Sequence, residues 1–154
     1  MIVEKDKNYN FVVKNLSFGD LSYEEVCEAY RDGRLGSFML EKQIPKWFPQ
    51  LEWRKDKKGY DHIDTTTGQR YEQKSFTKNG LDFSPSYQKG SGRKINLAET
   101  REIASKLVYI CCDITRFPKV SLIFKDGSDM IKMFPKAKVT KTKNTYYLMN
   151  KFYY

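Results

Sequence analysis

Asp61, Glu72 and Lys74 are the residues of this chain whose types and spacing point to chemistry, and all three lie in GYDHIDTTTGQRYEQKSF, residues 59 to 76. YDHID and QRYEQKSF have the composition of strands, and TTTG between them supplies a turn. If Thr65 to Gly68 form a four-residue loop, Asp64 faces Gln69 and Asp61 lands opposite Glu72. Directly opposed residues have Cβ atoms ~4.5–5.5 Å apart, where like charges destabilise. A divalent cation reverses that effect, because Mg²⁺ takes carboxylate oxygens at ~2.0–2.1 Å and neutralises both. Lys74 follows Glu72 by two residues and shares its face of the sheet, while Gln73 points to the other. Asp64 has the opposite parity to Asp61, which makes Asp61 the candidate ligand and Asp64 a turn residue. An odd loop length or a bulge would shift this pairing.

Such a group suits phosphodiester hydrolysis. One or two Mg²⁺ ions held by carboxylates activate a water and clamp the developing charge, with ions ~3.5–4 Å apart in two-metal sites. A neighbouring lysine orients the water and stabilises the transition state as a positive point charge. On the residues alone two readings stay open, an exposed charged hairpin and a metal site. Glu-x-Lys is a weak pattern in a chain that is 31% charged, and Asp56-Lys57-Lys58 has a similar form in a charge run without a strand-like flank.

The rest of the chain must position these groups and hold a substrate. Its 154 residues suit one domain with a core that needs no staples. The net charge of +9 favours a polyanionic partner, nucleic acid before an anionic membrane. No acid follows Asp129, whereas Lys132, Lys136, Lys138, Lys141, Lys143 and Lys151 do, so one end is a basic stripe. Cys27, Cys111 and Cys112 form no Cys-x-x-Cys pair, and with His62 as the single histidine a zinc site is short of ligands. Free thiols, a charged N-terminus and the lack of a ~20-residue apolar run suggest a cytoplasmic protein without a membrane span.

LSYEEVCEAYRDGRLG reads as a helix stopped at Gly33. SFMLEKQI predicts a second, with Ser37 as N-cap and Pro45 near its end. QLEWR is a short strand candidate before the hairpin. Asn96, followed three residues later by Glu99, predicts another helix start. LVYICCDI, a continuous apolar run, predicts a buried central strand. KVSLIF, the turn KDGSD and MIKMF suggest a further hairpin, and NTYYLMNKFYY a last strand. The order is helix, three strands, helix, strand, then β-rich extensions, a mixed α/β sandwich around one sheet.

The hairpin resembles the active-site hairpin of the PD-(D/E)xK nucleases, particularly the small type II restriction endonucleases. Their Asp, Gly-containing turn and Glu-x-Lys-Ser correspond to Asp61, Gly68 and Glu72-Gln73-Lys74-Ser75. The resemblance covers about residues 36 to 112 of a 1–154 nuclease domain. It implies a restriction-endonuclease-like mixed β-sheet flanked by helices, with a β-rich C-terminal extension. Asp61 and Glu72 would ligate Mg²⁺, and Lys74 would be the catalytic lysine. Glu41 matches a further glutamate that many members carry on the preceding helix. Tyr60 stands where the family name has proline, and Gln73 where an apolar residue is usual. The implied activity is Mg²⁺-dependent cleavage of double-stranded DNA, foremost by a sequence-specific restriction enzyme. A two-fold homodimer would supply one site per strand. The alternatives are a structure-selective or repair nuclease of the same fold and a non-catalytic basic nucleic-acid-binding protein.

Two further features complete the expectations. SYQKGSGRKIN places Lys89, Arg93 and Lys94 around Gly90 and Gly92, a loop suited to phosphate contacts. It lacks the GxxxxGK[ST] spacing, so no nucleotide cofactor is expected. His62 alternates away from Asp61 and is expected to be a partly buried structural histidine.

Overall fold

The computed structural model describes residues 1–55 and 59–140. Its elements run β1 (Asn8–Val12), α1 (Tyr23–Arg31), α2 (Arg34–Trp47), β2 (Leu51–Trp53), β3 (His62–Asp64), β4 (Arg70–Phe76), β5 (Leu81–Asp82), α3 (Leu97–Ala104), β6 (Leu107–Asp113), β7 (Lys119–Asp126), α4 (Gly127–Met133) and β8 (Lys138–Val139). One mixed sheet has the strand order β1-β7-β6-β4-β3-β2, and β5 pairs with β8 in a second, two-stranded sheet. From α2 to β6 the expected order of helix, three strands, helix and strand holds, with the short β5 inserted before α3. The crossover through α3 lets β4 and β6 run parallel, a pairing that a tight hairpin cannot make.

All seven residues of β6 are buried, as its unbroken apolar run implies. Alternate residues feed two cores. Val108, Ile110 and Cys112 join Leu40, Ile44 and Phe48. Leu107, Tyr109 and Cys111 join Phe76, Ala104 and Met130. β4 follows the same alternation, with Tyr71 in the first core and Phe76 in the second.

Local signals account for the helix ends. Ser22 and Glu25 form a reciprocal capping box at the start of α1. Gly33 adopts φ +103°, a left-handed turn that separates α1 from α2. α2 therefore begins at Arg34, not after an N-cap at Ser37, and it runs through Pro45 to Trp47. The proline costs this helix one hydrogen bond, the one its N–H would have given to the Glu41 carbonyl. Asn96 caps α3 by accepting from the Glu99 N–H at 3.1 Å, but the Glu99 carboxylate turns instead to the Tyr87 hydroxyl at 2.6 Å.

The C-terminal extension differs from expectation. KVSLIF is strand β7, but residues 127–133 form α4, not the second arm of a hairpin. Gly127, Met130 and Phe134 are buried at spacings of three and four, a helical period. A Cβ at Gly127 would collide with the Ala104 carbonyl oxygen, so glycine permits the close approach of α4 to the end of α3. β1, unforeseen from its polar sequence, pairs antiparallel with β7 and brings the N-terminus into the main sheet. The last expected strand and the Asp56-Lys57-Lys58 run lie outside the described residues. Among the described residues no helix is long and apolar enough to cross a membrane.

Candidate active site

The site lies along one edge of β4. β3 pairs with β4 only at His62↔Tyr71 and Ile63↔Arg70. The expected first strand, YDHID, is thus shortened to His62–Asp64, and Asp61 occupies a bend just before it. Its N–H donates to the Tyr71 carbonyl at 2.9 Å, and one carboxylate oxygen accepts the Gln73 N–H at 2.8 Å. Asp61 and His62 both face Tyr71, the two-against-one count of a bulge. Asp61 consequently reaches Glu72 from a bend, where a regular cross-strand pair had been expected.

The turn behaves as the four-residue loop requires. Asp64 N–H donates to the Gln69 carbonyl at 2.9 Å, and Gly68 N–H to the Asp64 carbonyl at 2.7 Å. The Asp64 carboxylate accepts from the Thr66 hydroxyl at 2.6 Å, the Thr66 N–H at 2.9 Å and Gln50 Nε2 at 3.1 Å. The Thr66 hydroxyl bond foremost holds this carboxyl below the usual range. Asp64 is a committed turn residue, separate from the Asp61–Glu72 pair.

Burial is the largest influence on Glu72. Hydrogen bonding to Asp61 and the charges of Asp61 and Glu41 add to it, while Lys74 opposes, and the Glu72 carboxyl is pushed up to about 9. Burial and the Asp61 charge also raise the Glu41 carboxyl, partly offset by a hydrogen bond from Trp53 and by the charge of Lys42. The three carboxylates thus share one electrostatic neighbourhood, so Glu41 is more than an exposed helix charge.

The cations gather around Lys74, whose charge reaches Glu72. Lys74 Nζ reaches the Ser84 carbonyl at 3.5 Å. Lys89 pairs with Asp82 at 3.4 Å, and its ammonium is lowered by burial first, then by the charge of Lys74, with Lys138 adding to the effect. Lys138 is brought there because β8 pairs with β5, setting it opposite Asp82. Of the three loop cations expected at phosphates, Lys89 therefore stands near Lys74. Arg93 and Lys94 stay exposed on the loop, where Arg93 donates to the Ser86 carbonyl at 3.5 Å.

α2 braces the edge from the first core. Gln73 Nε2 donates to the Ser37 carbonyl at 3.0 Å, and the Ser37 and Ser75 hydroxyls bond at 2.5 Å. Gln73, which stands where the family usually has an apolar residue, is itself buried. His62 is fully buried, more so than expected, and neither ring nitrogen has a hydrogen-bond partner. Burial pushes its pKa down, with the Asp61 charge opposing, so the ring is neutral.

No family model, curated protein or solved structure gives a significant match to this chain.

Among the described residues no group of three or more His, Cys, Asp or Glu side chains is arranged as a ready-made metal cage. Mg²⁺ does not require one, since it keeps several waters and is commonly held by one or two carboxylates plus substrate phosphates. The Asp61–Glu72 pair is a donor set of that kind. Trp53, Asp82, Ser84 and Lys138 are the neighbours that sequence reasoning missed. The only signal for Lys138 was its place in the basic stripe.

Proposed function

We propose that this protein is a Mg²⁺-dependent DNA endonuclease with a restriction-endonuclease-like fold. The observation that carries the reading is the meeting of Asp61 and Glu72 beside Lys74, with Glu41 in electrostatic reach. Asp61 and Glu72 would hold the metal, which when bound neutralises both carboxylates and supplies a nucleophilic hydroxide near neutral pH. Lys74 sets a positive charge where the scissile phosphate gains negative charge. Lys89 and Lys138 extend that field, and a phosphate there relieves the mutual repulsion of the lysines. The Gln73 N–H fixes the Asp61 carboxylate, so less reorganisation is needed at the moment of reaction. Cutting both strands of a duplex needs two such sites, which a two-fold homodimer supplies.

Sequence-specific cutting of duplex DNA is the first reading. A structure-selective nuclease is the second, favoured by the exposed ring of Phe38 on the helix that carries Glu41. Plasmid and branched oligonucleotides incubated with Mg²⁺, with EDTA and with Lys74→Ala test both. Discrete Mg²⁺-dependent fragments that vanish with Lys74→Ala support restriction. Cleavage of branched DNA alone supports structure selectivity. DNA that is bound equally by both proteins and never cut leaves a non-catalytic binding protein.

A further inference from the structure

The two tryptophans have different surroundings. Trp47 stacks on Phe11 with ring centroids 3.9 Å apart, against the first core. Trp53 belongs to neither core and lies on β2, the edge strand of the main sheet. Its ring carries the Lys42 ammonium at 4.0 Å from its centroid, and the same ammonium is 5.1 Å from the centroid of Phe38. Phe38 and Lys42 are four residues apart on α2 and so share one helix face. Phe38 is 53% exposed. The exposed Lys42 therefore lies at the surface between the exposed Phe38 ring and the half-buried Trp53 ring.

This surface adjoins the carboxylates. Trp53 is the register partner of His62, the residue after Asp61, and the Arg54 N–H donates to the Asp61 carbonyl at 2.8 Å. Glu41 precedes Lys42 on the same helix. Trp53 also acts on the Glu41 carboxyl through a hydrogen bond, which ties the rings to the carboxylates.

We propose that Phe38, Lys42 and Trp53 form a stacking platform for an unpaired DNA base next to the scissile phosphate. The inference rests on the nuclease reading and narrows its substrate class to DNA with a single-stranded, gapped or flipped nucleotide at the cut. Bases within an intact duplex hide their faces in the stack, whereas an unpaired base offers a face to an aromatic ring. The Lys42 ammonium adds attraction for the neighbouring phosphate, which an ordinary exposed apolar patch lacks. The net charge of +9 complements the same partner.

The test uses the full chain in EDTA, so that binding is read without cleavage. Two fluorescein-labelled duplexes of one sequence are compared by anisotropy, one intact and one with a two-nucleotide gap. Wild type is expected to favour the gapped DNA by about tenfold. Phe38→Ala and Trp53→Ala should bring that ratio to within about twofold, while Trp53→Phe should keep it. Circular dichroism of each variant, together with the retained ratio in Trp53→Phe, separates loss of the platform from loss of the fold. Equal affinities in wild type, or an undiminished preference in Phe38→Ala, would overturn the platform. If Mg²⁺-dependent cleavage persists in that case, the nuclease reading stands alone. Binding of neither DNA, with no cleavage, removes both.

Discussion

The two edges of β4 are built differently. Toward β6 it makes seven consecutive parallel pairs, from Arg70↔Leu107 to Phe76↔Asp113. Toward β3 it makes two, and beyond Tyr71 its edge is met by the bend at Asp61 and by α2. The first edge is sealed between two apolar cores. The second holds the Glu72 and Glu41 carboxyls, both raised by burial and by the Asp61 charge, together with the buried His62 ring and Gln73 amide. A strand fixed on one side can hold strained polar groups on the other, and that division lets the fold tolerate a charged site.

The contrast can be broken from either side. Lys74→Ala should lower DNA cleavage by about 10²–10³-fold while leaving the urea midpoint near that of wild type, because its ammonium contacts a carbonyl only at 3.5 Å. Ile110→Ala on the sealed side should act through stability, with a loss of about 2–5 kcal/mol in urea unfolding. Equal destabilisation by the two substitutions would mean that the edges do not divide their roles.

Glu72→Gln sharpens the comparison, since it should stabilise the metal-free protein. The folded state keeps the Glu72 proton up to about 9, whereas an unfolded glutamate releases it near 4.5. Stability from this group is thus full below about 4.5 and drains as pH rises toward 9. In EDTA at pH 8 the glutamine variant should gain about 0.5–2 kcal/mol, or about 1–8 °C in Tm, and show a flatter pH profile. Asp64→Ala should give the smallest effect, a loss of about 1 kcal/mol with cleavage retained. Its carboxyl is held low, so its contribution is present above the ordinary carboxylate range and fades on acidification. The difference between wild type and Asp64→Ala should therefore shrink in acid.

Loop length sufficed to mark Asp64 as a turn residue, because the turn kept its four residues, whereas the regular Asp61–Glu72 pair that parity predicted is replaced by a bend. The buried run of β6 was equally plain, since seven apolar or paired positions have few other uses. The bend at Asp61 was not legible, for nothing local distinguishes a bulge from a regular strand in YDHID. α4 was missed because MIKMF satisfies both an alternating and a helical pattern, and packing through Gly127 against Ala104 decides between them. Lys138 at the site and β1 in the sheet depend on long-range pairings, Asp82↔Lys138 and Tyr9↔Leu122, which no local window contains.

The most direct test of the carboxylate pair as a metal site is calorimetry of Mg²⁺ binding at pH 7.5 in two buffers of different ionisation enthalpy. The Glu72 carboxyl, pushed up to about 9, must lose its proton to ligate Mg²⁺, so wild type should release about one proton per site. Glu72→Gln should release none and bind more weakly. Mg²⁺ that binds wild type without proton release, or does not bind at all, would contradict the assignment of Asp61 and Glu72 as its ligands.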